Sequence, residues 1–420
     1  MELITPPLTA SGLPPVSSGG PTSTHIFCGL GGDTLGLAEA GFVPRLALNH
    51  SPTAVASHQL NFPDCAHDCA DINNYDMRRL PRTDVVFGSP ICKESSPAGG
   101  NEMETAQMEL PQDGDTGTYA PAATWERTRA TAYDLLRAAE VHRYDAIMWE
   151  NVVRFATAWP LYDWWLKAWE VLGYVPQVAS VNAAHLGGGA ESSNRRAPQD
   201  RNRLIGVMVR KGITPPDLRV RPECVCPECG PVLGVQHWRN PRGRKVGAFG
   251  AQYDFVCPNG SCRHRRVTPV TDAALDVLDL SLPQQRIGDG KPNRRTFAPY
   301  AASTRALVEA ALQRFAGPGG ERSDGELLIV HLGRTANPRT VQQPLSTVAC
   351  TPHHALVRTA PSVDDCRIRM LQPSETARIQ RFPQSYGRSG TVTEQYIQVG
   401  NAVPVNVAHW AAQRLMPSLA

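Results

Sequence analysis

Residues 24–41 of this 420-residue chain read THIFCGLGGDTLGLAEAG, and this stretch decides the fold that we predict. Thr24–Cys28 has the apolar character of a buried strand, Gly29–Gly32 form a glycine turn, and Asp33–Ala40 has helical periodicity. Glycines at such a turn let backbone N–H groups approach a nucleotide-like ligand near the N-terminus of a helix. The spacing GxGG departs from the dinucleotide fingerprint GxGxxG, so a tight turn without a ligand is the alternative.

The alternation of strand and helix continues on both sides of the glycine turn. Strands are expected at Arg45–Asn49, Asp84–Gly88, Tyr144–Trp149 and Arg203–Val209, and helices at Thr53–Leu60, Thr124–Ala139, Pro160–Val171, Pro373–Arg381 and Pro404–Leu415. Strands that alternate with helices predict a doubly wound, Rossmann-like α/β domain on a parallel sheet. Sequence rich in Pro, Gly, Arg and Cys interrupts this pattern after Arg210, so we expect an inserted second domain there.

Polar residues stand where the second strand ends and in a later turn. Asn49 and His50 follow the second strand, and either can hydrogen-bond hydroxyl groups, but neither supplies the negative charge of the acidic residue that usually holds a ribose. Asp71, in Cys69-Ala70-Asp71-Ile72, is placed to reach an adenine amino group. A plain turn or helix-capping role is the alternative for Asp71.

Cys92 and Glu150 each follow a predicted buried strand. The loop Gly88-Ser-Pro-Ile-Cys92-Lys93 puts a thiol at the carboxyl end of a strand, where open α/β sheets bind ligands. Next to a lysine, that thiol can be a nucleophile with a lowered pKa, although a structural cysteine is the alternative. The carboxyl group of Glu150 lies at a second strand end, where it can act as an acid or hydrogen-bond donor.

Composition bounds the class of protein. Hydrophobic residues make up 41% and charged residues 19% of the chain, which is enough apolar sequence for a sizeable core. No apolar run approaches the ~18 residues that a membrane helix needs, and Met1–Gly20 lacks the features of a secretory signal. The eleven cysteines are irregularly spaced, which argues against a disulfide scaffold and favours a reducing cytoplasm.

The net charge of +3 is concentrated in one segment. Between Arg195 and Arg266 there are 15 Lys and Arg residues against five acidic residues. A basic segment in a protein that is otherwise near neutral indicates a face that binds a polyanion, and a solvated charged loop is the alternative.

Four cysteines within that segment have the spacing of metal ligands. Cys226 and Cys229 form one close pair, and Cys257 and Cys262 form a second. Four thiolates at this spacing can form a tetrahedral zinc site that resembles a zinc ribbon within residues 224–264; unligated cysteines are the alternative. A closed site of four protein ligands is structural, because it leaves no open position for chemistry. It would stiffen a basic segment, some of whose cations we expect to contact phosphates: Arg239, Arg242, Arg244, Lys245, Arg263, Arg265 and Arg266.

With Cys92 and Glu150 identified, the chain resembles the DNA cytosine-5 methyltransferases, which use S-adenosylmethionine. Six blocks in the family's order carry the resemblance: FCGLGG at 27–32, GSPICK at 88–93, WENV at 149–152, PQDRNR at 198–203, RMLQPSETARIQRFP at 369–383 and QVGNAVP at 398–404. The interval between the fourth and fifth blocks is where the family has its target-recognition domain.

The resemblance implies a role for each block. Cys92 is the nucleophile that adds to C6 of cytosine, Glu150 contacts N3 and the exocyclic amine, and Arg201 helps to hold the base with Arg203 nearby. The target base is flipped out of the duplex, because C5 is hidden in the base stack. The residues that the resemblance assigns to S-adenosylmethionine are Phe27, Gly29, Gly31, Gly32, Asn49, His50, Asp71, Ile72, Pro90, Asn401 and Val403.

Two departures from the family pattern leave other functions open. Lys93 replaces the family's glutamine after the nucleophile, and His50 replaces its ribose-binding glutamate. An RNA cytosine-5 methyltransferase of the same fold is one alternative, and a catalytically decayed DNA-binding relative is another. Decay predicts the loss of Cys92, Glu150 or Arg201, and all three are present.

The resemblance also divides the chain into four parts. We expect a tail at 1–20, a catalytic and cofactor-binding domain at 21–210, a target-recognition domain at 211–360, and a segment at 361–420 that returns to the catalytic domain. The implied partner is double-stranded DNA, with no membrane involved. We expect a cytoplasmic monomer of bacterial or phage origin, with a cognate restriction endonuclease as a possible companion.

Overall fold

The computed structural model describes residues 19–90, 121–189, 192–291, 296–315, 325, 327–332 and 338–419. The expected tail, Cys92, Lys93 and the loop after them lie outside the described residues, apart from Gly19 and Gly20. In the part of the chain that is described, no helix is both long enough and apolar enough to cross a membrane.

A seven-stranded sheet, here called the central sheet, organises the first half of the chain. The first eight strands are β1 Thr22–Ile26, β2 Val43–Asn49, β3 Ala66–Cys69, β4 Val85–Gly88, β5 Ala146–Asn151, β6 Tyr174–Asn182, β7 Gln199–Asp200 and β8 Asn202–Arg210. The order in the central sheet is β3-β2-β1-β4-β5-β8-β6, and β7 lies outside it. The strand order reverses between β1 and β4, and this is the position where open α/β sheets form their ligand crevice.

The sheet is mixed, whereas the sequence predicted a parallel one. Strands β1 to β5 pair in parallel with one another, but β8 pairs antiparallel with both β5 and β6. The described residues of the segment 183–201, between β6 and β8, form no α-helix. An antiparallel neighbour needs no crossover helix, whereas a parallel one does, so this helix-free connection explains the direction of β8.

Helices cover both faces of the central sheet. The nine helices of the described chain are α1 Gly32–Glu39, α2 Pro52–Asn61, α3 Pro121–His142, α4 Val153–Thr157, α5 Tyr162–Val171, α6 Ala302–Arg314, α7 Pro373–Ile379, α8 Val392–Asn401 and α9 Val405–Leu419. Alternate residues of β4 point to opposite faces: Phe87 packs in one core with residues of α1 and α9, and Val86 packs in another with residues of α3, α4 and α5. The domain is therefore doubly wound.

The cysteine-rich segment forms a separate antiparallel sheet, here called the cysteine module (residues 223–269). Its strands are β9 Glu223–Cys226, β10 Gly230–Leu233, β11 Val235–Trp238, β12 Tyr253–Val256 and β13 Arg266–Pro269, in the order β10-β9-β13-β12-β11. Tyr253 and Phe255 are fully buried in the same core cluster as Ile205 and Val207 of β8. The module therefore shares a hydrophobic core with the central sheet.

A third sheet completes the insertion. The remaining strands are β14 Gln285–Arg286, β15 Leu327–His331, β16 Arg339–Thr340, β17 Leu345–Ser346, β18 His354–Arg358 and β19 Arg367–Met370. Five of them form an antiparallel sheet in the order β14-β19-β18-β15-β16, and β17 pairs with β7. This sheet extends to Met370, beyond the residue 360 at which we expected the inserted domain to end.

The C-terminal segment, residues 371–419, returns to the central sheet. Capping boxes begin α7 (Gln372 with Glu375) and α8 (Thr391 with Glu394), so each helix satisfies its own first N–H groups. Helix α9 packs along α1, and the backbone of Val405 lies so close to Gly36 that an added Cβ would come within 2.5 Å of the Val405 carbonyl oxygen.

Candidate active site

The glycine turn combines an open position at Gly29 with a tightly packed position at Gly32. Phe27 and Gly29 have left-handed backbones (φ 62° and 52°), and a Cβ on Gly29 would meet nothing closer than 3.8 Å. Gly31, at φ 89°, is the N-cap of α1. A Cβ on Gly32 would lie 2.0 Å from the carbonyl oxygen of Val403, so this glycine serves close packing against the C-terminal segment. The sequence had assigned all these glycines to the ligand.

A shallow cleft lies at the ends of β1, β2 and β3. Of the residues assigned to the cofactor, it is lined by Phe27, Asn49, His50, Asp71 and Ile72. Asp71 also caps the following turn, because its Oδ1 accepts the Asn73 N–H at 3.1 Å. The lining combines an aromatic ring and an apolar side chain with amide, imidazole and carboxylate groups. These groups fit an adenosyl ligand, whose flat base and hydroxyl groups need both kinds of contact.

Three of the remaining assigned residues lie outside that lining. Pro90 follows β4, Val403 is buried against Gly32, and Asn401 accepts a hydrogen bond from the Cys350 thiol at 3.1 Å. Of these three residues, Val403 therefore supports the glycine turn, by its contact with Gly32.

Residues that we did not predict from the sequence contact the glycine turn and the first residues of α1. Tyr386 Oη donates to the Leu30 carbonyl at 2.8 Å, and burial raises the pKa of this phenol. His25 Nδ1 lies 2.7 Å from Asp33 Oδ2, with both side chains buried. His58 Nε2 lies 2.9 Å from Thr34 Oγ1, and burial lowers the pKa of this imidazole, so it is neutral. Only Asp33 had a sequence signal, because it follows the glycines directly at a helix start.

Glu150 and Arg203 form a buried pair beside the end of β5. Arg203 Nε lies 2.7 Å from Glu150 Oε1, and both side chains are buried. Burial raises the pKa of the Glu150 carboxyl, and the positive charges of Arg203 and Arg201 oppose that rise without cancelling it. This carboxyl group therefore holds its proton to a higher pH than an exposed glutamate does.

Arg201 is held by backbone carbonyls. Its Nη1 donates to the Val348 carbonyl at 2.8 Å, and its Nη2 donates to those of Gly400 at 2.8 Å and Ala402 at 3.3 Å. We expected Arg201 to help hold the base, with Arg203 nearby. In the structure Arg203 contacts Glu150, whereas the Arg201 guanidinium bonds the backbone of Val348 and of the C-terminal segment.

Asn151 connects the Glu150 strand to the segment that leads to Cys92. Its Nδ2 donates to the Pro90 carbonyl at 3.0 Å, and its Oδ1 accepts the Val152 N–H at 2.9 Å. Strands β4 and β5 are parallel neighbours, with Gly88 opposite Trp149. Pro90 therefore leaves the sheet beside Glu150, two residues before Cys92 in the sequence.

The four predicted metal ligands converge. The sulfur atoms of Cys226, Cys229, Cys257 and Cys262 all lie within 4.8 Å of one another, and three of the four residues are buried. A tetrahedral zinc ion with Zn–S bonds of about 2.3 Å places its sulfur atoms about 3.8 Å apart. The cluster therefore fits a tetrahedral metal ion of this size.

Most basic side chains around this cluster are already paired. Arg239 and Arg266 both pair with Asp254, Arg244 pairs with Asp163, and Arg265 pairs with Glu228 at 2.8 Å. Arg242, Lys245 and Arg263 pair with no acidic side chain in the described ranges. Three carboxylates therefore offset part of the charge of these seven cations, and the set keeps a net positive charge.

Comparison with known proteins identifies the family. The model of the C-5 cytosine-specific DNA methylase family matches residues 22–219 and 315–416. The chain is 26% identical to the type II methyltransferase M.XorII of Xanthomonas oryzae, over 95% of this chain and 85% of that protein. It is 25% identical to M.PspPI of Psychrobacter, over 91% of this chain and 76% of that protein.

Solved structures share the fold. A DNA modification methyltransferase encoded within an Escherichia coli prophage aligns over 95% of this chain and 99% of its own, with a TM-score of 0.52 and 16% identity. DNMT2 of Spodoptera frugiperda aligns over the same shares, with a TM-score of 0.54 and 12% identity. The chain belongs to the C-5 cytosine-specific DNA methylase family, and it is a DNA cytosine-5 methyltransferase that uses S-adenosylmethionine.

Proposed function

We propose that this enzyme flips a cytosine out of duplex DNA and methylates it at C5 through a covalent adduct with Cys92. The observation that carries this proposal is the buried Glu150–Arg203 pair at the end of β5, which Asn151 ties to the Pro90 segment that precedes the nucleophile.

The chemistry requires a nucleophile, because C5 of cytosine is itself unreactive. The Cys92 thiolate adds to C6, and the electron pair of the C5–C6 double bond moves to C5, which forms the new bond to the methyl carbon. Loss of the C5 proton to a base then allows the C6–S bond to break and regenerates the thiolate. S-adenosylmethionine supplies the electrophilic methyl group when it is bound.

Glu150 and Arg203 stabilise the ring during this addition. In its protonated form, favoured by burial, Glu150 can donate a hydrogen bond to N3 and so stabilise the negative charge that the addition places on the ring. Arg203 orients the Glu150 carboxyl and is close enough to contact the same base. Arg201 acts as a positioning residue through its bonds to the C-terminal segment.

The cofactor is proposed to lie in the cleft at the ends of β1, β2 and β3. Asn49 and His50 would hold its ribose hydroxyls, Asp71 its adenine amino group, and Phe27 and Ile72 the faces of the base. His50 offers a weaker hydroxyl partner than a glutamate does, because it lacks the negative charge.

Nucleoside mass spectrometry tests the reaction. Purified protein is incubated with deuteromethyl-labelled S-adenosylmethionine and unmethylated duplex DNA, and in parallel with RNA, with Cys92→Ser as the control. Labelled 5-methylcytosine in DNA, abolished by Cys92→Ser, is the expected result. Label in RNA alone would indicate the RNA enzyme of the same fold, and label in neither, with folded protein that still binds DNA, would indicate a decayed relative.

We propose further that the four clustered cysteines bind one structural zinc ion and make the cysteine module a zinc ribbon. The mutual distances of the sulfur atoms support this. Metal analysis of the purified protein should find one zinc per chain, and Cys226→Ser or Cys257→Ser should lose it. Cys69→Ser is the matched control, because Cys69 is exposed and outside the cluster. Folded wild-type protein without zinc would contradict the proposal.

The type II relatives support a proposal about where this enzyme acts and with what companion. We propose a monomer that acts in the cytoplasm of a bacterial or phage-infected cell, where its DNA substrate is found. A restriction endonuclease with the same recognition sequence would be its functional companion, and co-expression of the two with protection of the host DNA would test this.

A further inference from the structure

The cysteine module contacts the central sheet at two points on β6 and β8. Ser180 of β6 receives two hydrogen bonds, one from Gln236 Nε2 to its carbonyl and one from the Gly247 N–H to its Oγ, both at 3.0 Å. At the start of β8, the Phe249 N–H donates to Asn202 Oδ1 at 2.9 Å. The loop between β11 and β12 is therefore anchored on the strand that carries Arg203.

Asn202 lies between the two arginines and contacts the surroundings of both. Its carbonyl accepts a hydrogen bond from Arg203 Nη1 at 2.8 Å, while Arg203 Nε faces Glu150. Its Oδ1 also lies 3.4 Å from Asn182 Nδ2, and Asn182 Oδ1 accepts the Arg201 N–H at 3.2 Å. A movement of Asn202 would therefore displace the acceptor that orients the Arg203 guanidinium.

The other end of this connection is the cysteine cluster. Strand β12 ends at Val256 and is followed directly by Cys257, one of the four clustered residues. At its start, the Tyr253 carbonyl accepts the Gly250 N–H at 2.9 Å, one residue after Phe249. The rings of Phe249 and Phe255 are 5.7 Å apart, and Phe249 also packs edge to face on His185 at 4.5 Å. The position of Phe249 thus depends on how β12 is held.

We propose that Asn202 is a positioning residue that couples the cysteine module to the Glu150–Arg203 pair, an inference that rests on the proposed roles of that pair and of the zinc ion. The module then has a second role besides any contact with DNA: it fixes the guanidinium that orients the catalytic carboxyl. Metal occupancy at the cluster consequently affects methyl transfer through Phe249 and Asn202.

Three variants separate positioning from simple docking. Asn202→Leu keeps the shape of the side chain but removes the acceptor of the Phe249 N–H, whereas Asn202→Asp keeps an acceptor oxygen. Gln236→Leu removes a hydrogen bond of the same kind to Ser180 and is the matched control. We expect Asn202→Leu to lower kcat roughly 10- to 100-fold, the range in which small displacements of catalytic groups act. Asn202→Asp should have a kcat close to that of the wild type, because it keeps the acceptor oxygen and its added charge acts mainly on KM for DNA. Gln236→Leu should keep the wild-type kcat.

Hydrogen exchange gives a readout that does not need activity. Chelation of the metal should accelerate amide exchange at residues 199–205 of the wild type, and Asn202→Leu should show that faster exchange before chelation with little further change after it. A wild-type kcat and exchange pattern in Asn202→Leu would overturn the proposal, as would an equal loss of kcat in Gln236→Leu. Failure of the proposed function has a different signature, the absence of zinc or of 5-methylcytosine from the wild-type protein, and the exchange comparison between Asn202→Leu and wild type remains decisive in that case.

Discussion

Arg201 and Arg203 are two residues apart, but two different regions of the molecule hold them. The C-terminal segment holds Arg201 through the carbonyls of Gly400 and Ala402, and it meets the glycine turn at Gly32 with no room for a Cβ. The cysteine module packs on β8 through a shared core and bonds its first residue, Asn202, whose carbonyl accepts from Arg203, by one hydrogen bond from a loop.

The two contacts should affect different properties of the enzyme, its stability and its turnover. A contact in which backbone meets backbone cannot shift without displacing the glycine turn and α1, so damage there should unfold the domain. The side-chain hydrogen bond at Asn202 can loosen while the shared hydrophobic core and the central sheet stay folded. We therefore expect the C-terminal contact to govern stability and the cysteine-module contact to govern turnover.

The largest effect is expected from Gly32→Ala. The added methyl would lie 2.0 Å from the Val403 carbonyl oxygen, so either α1 or the C-terminal segment must move. We expect the free energy of unfolding to fall by at least about 3 kcal/mol, at the upper end for overpacking. Denaturant titration measures this, with Gly19→Ala as the control, because a Cβ there has no heavy atom within 4 Å. Equal midpoints for the two variants would show that the C-terminal contact is not tight.

Substitution of Arg201 should mainly lower stability, whereas substitution of Arg203 should mainly lower turnover. Arg201→Met leaves carbonyls without their donor in a buried site, so we expect it to lower the free energy of unfolding by about 3 kcal/mol. Arg203→Met should lower the free energy of unfolding less than Arg201→Met does, because the Glu150 that it leaves behind can become neutral by keeping its proton. Its turnover rate should nevertheless fall strongly. Paired unfolding curves and single-turnover rates test this. If Arg203→Met is the less stable of the two, the division between the regions is wrong.

The pH dependence of methyl transfer reports on Glu150. Its pKa is raised by burial, so the protonated donor persists to a higher pH than usual and is lost as the pH rises through that pKa. Glu150→Gln cannot titrate, so its rate should lack this decline towards alkaline pH. Its maximal rate should fall about tenfold, which is less than the roughly 100-fold or greater loss on removing a donor, because the glutamine amide can still donate a hydrogen bond. Retention of the same decline in Glu150→Gln would assign the titration to another group.

The smallest effect is expected at the edge of the cofactor cleft, away from both contacts. His50→Glu supplies the charged acceptor that this position lacks, so the affinity for S-adenosylmethionine should rise about three- to tenfold, the difference between a charge-assisted and a neutral hydrogen bond. Isothermal titration measures it, with no change expected in the unfolding midpoint. Weaker binding in His50→Glu would mean that the ribose lies elsewhere.

Local features of the fold and the site could be read from the sequence. The strand–turn–helix at Thr22–Glu39 and the strand ends that carry Asn49 and Glu150 depend on neighbouring residues only, and short-spaced pairs predicted that Cys226, Cys229, Cys257 and Cys262 would meet. The apolar run at 84–88 likewise predicts where β4 ends, just before Pro90.

Features that depend on distant partners could not be read in this way. The direction of β8 depends on its neighbours in the sheet, since a strand buried on both faces has the same apolar pattern in either direction. The roles of Gly32 and Arg201 depend on the backbone of residues 400–403, and that of Asn202 on a loop 47 residues away. The sequence shows which residue types are present there, but it does not show which of them face each other.

The most direct test of the account uses duplex DNA in which 5-fluorocytosine replaces the target cytosine. The fluorine cannot leave C5 as a proton does, so the enzyme should be trapped after methyl transfer, with the C6–S bond intact. We predict a covalent complex that needs S-adenosylmethionine, whose peptide map places the adduct on Cys92, and which forms more slowly in Arg203→Met. An active enzyme that forms no adduct, or one attached to another cysteine, would contradict the account.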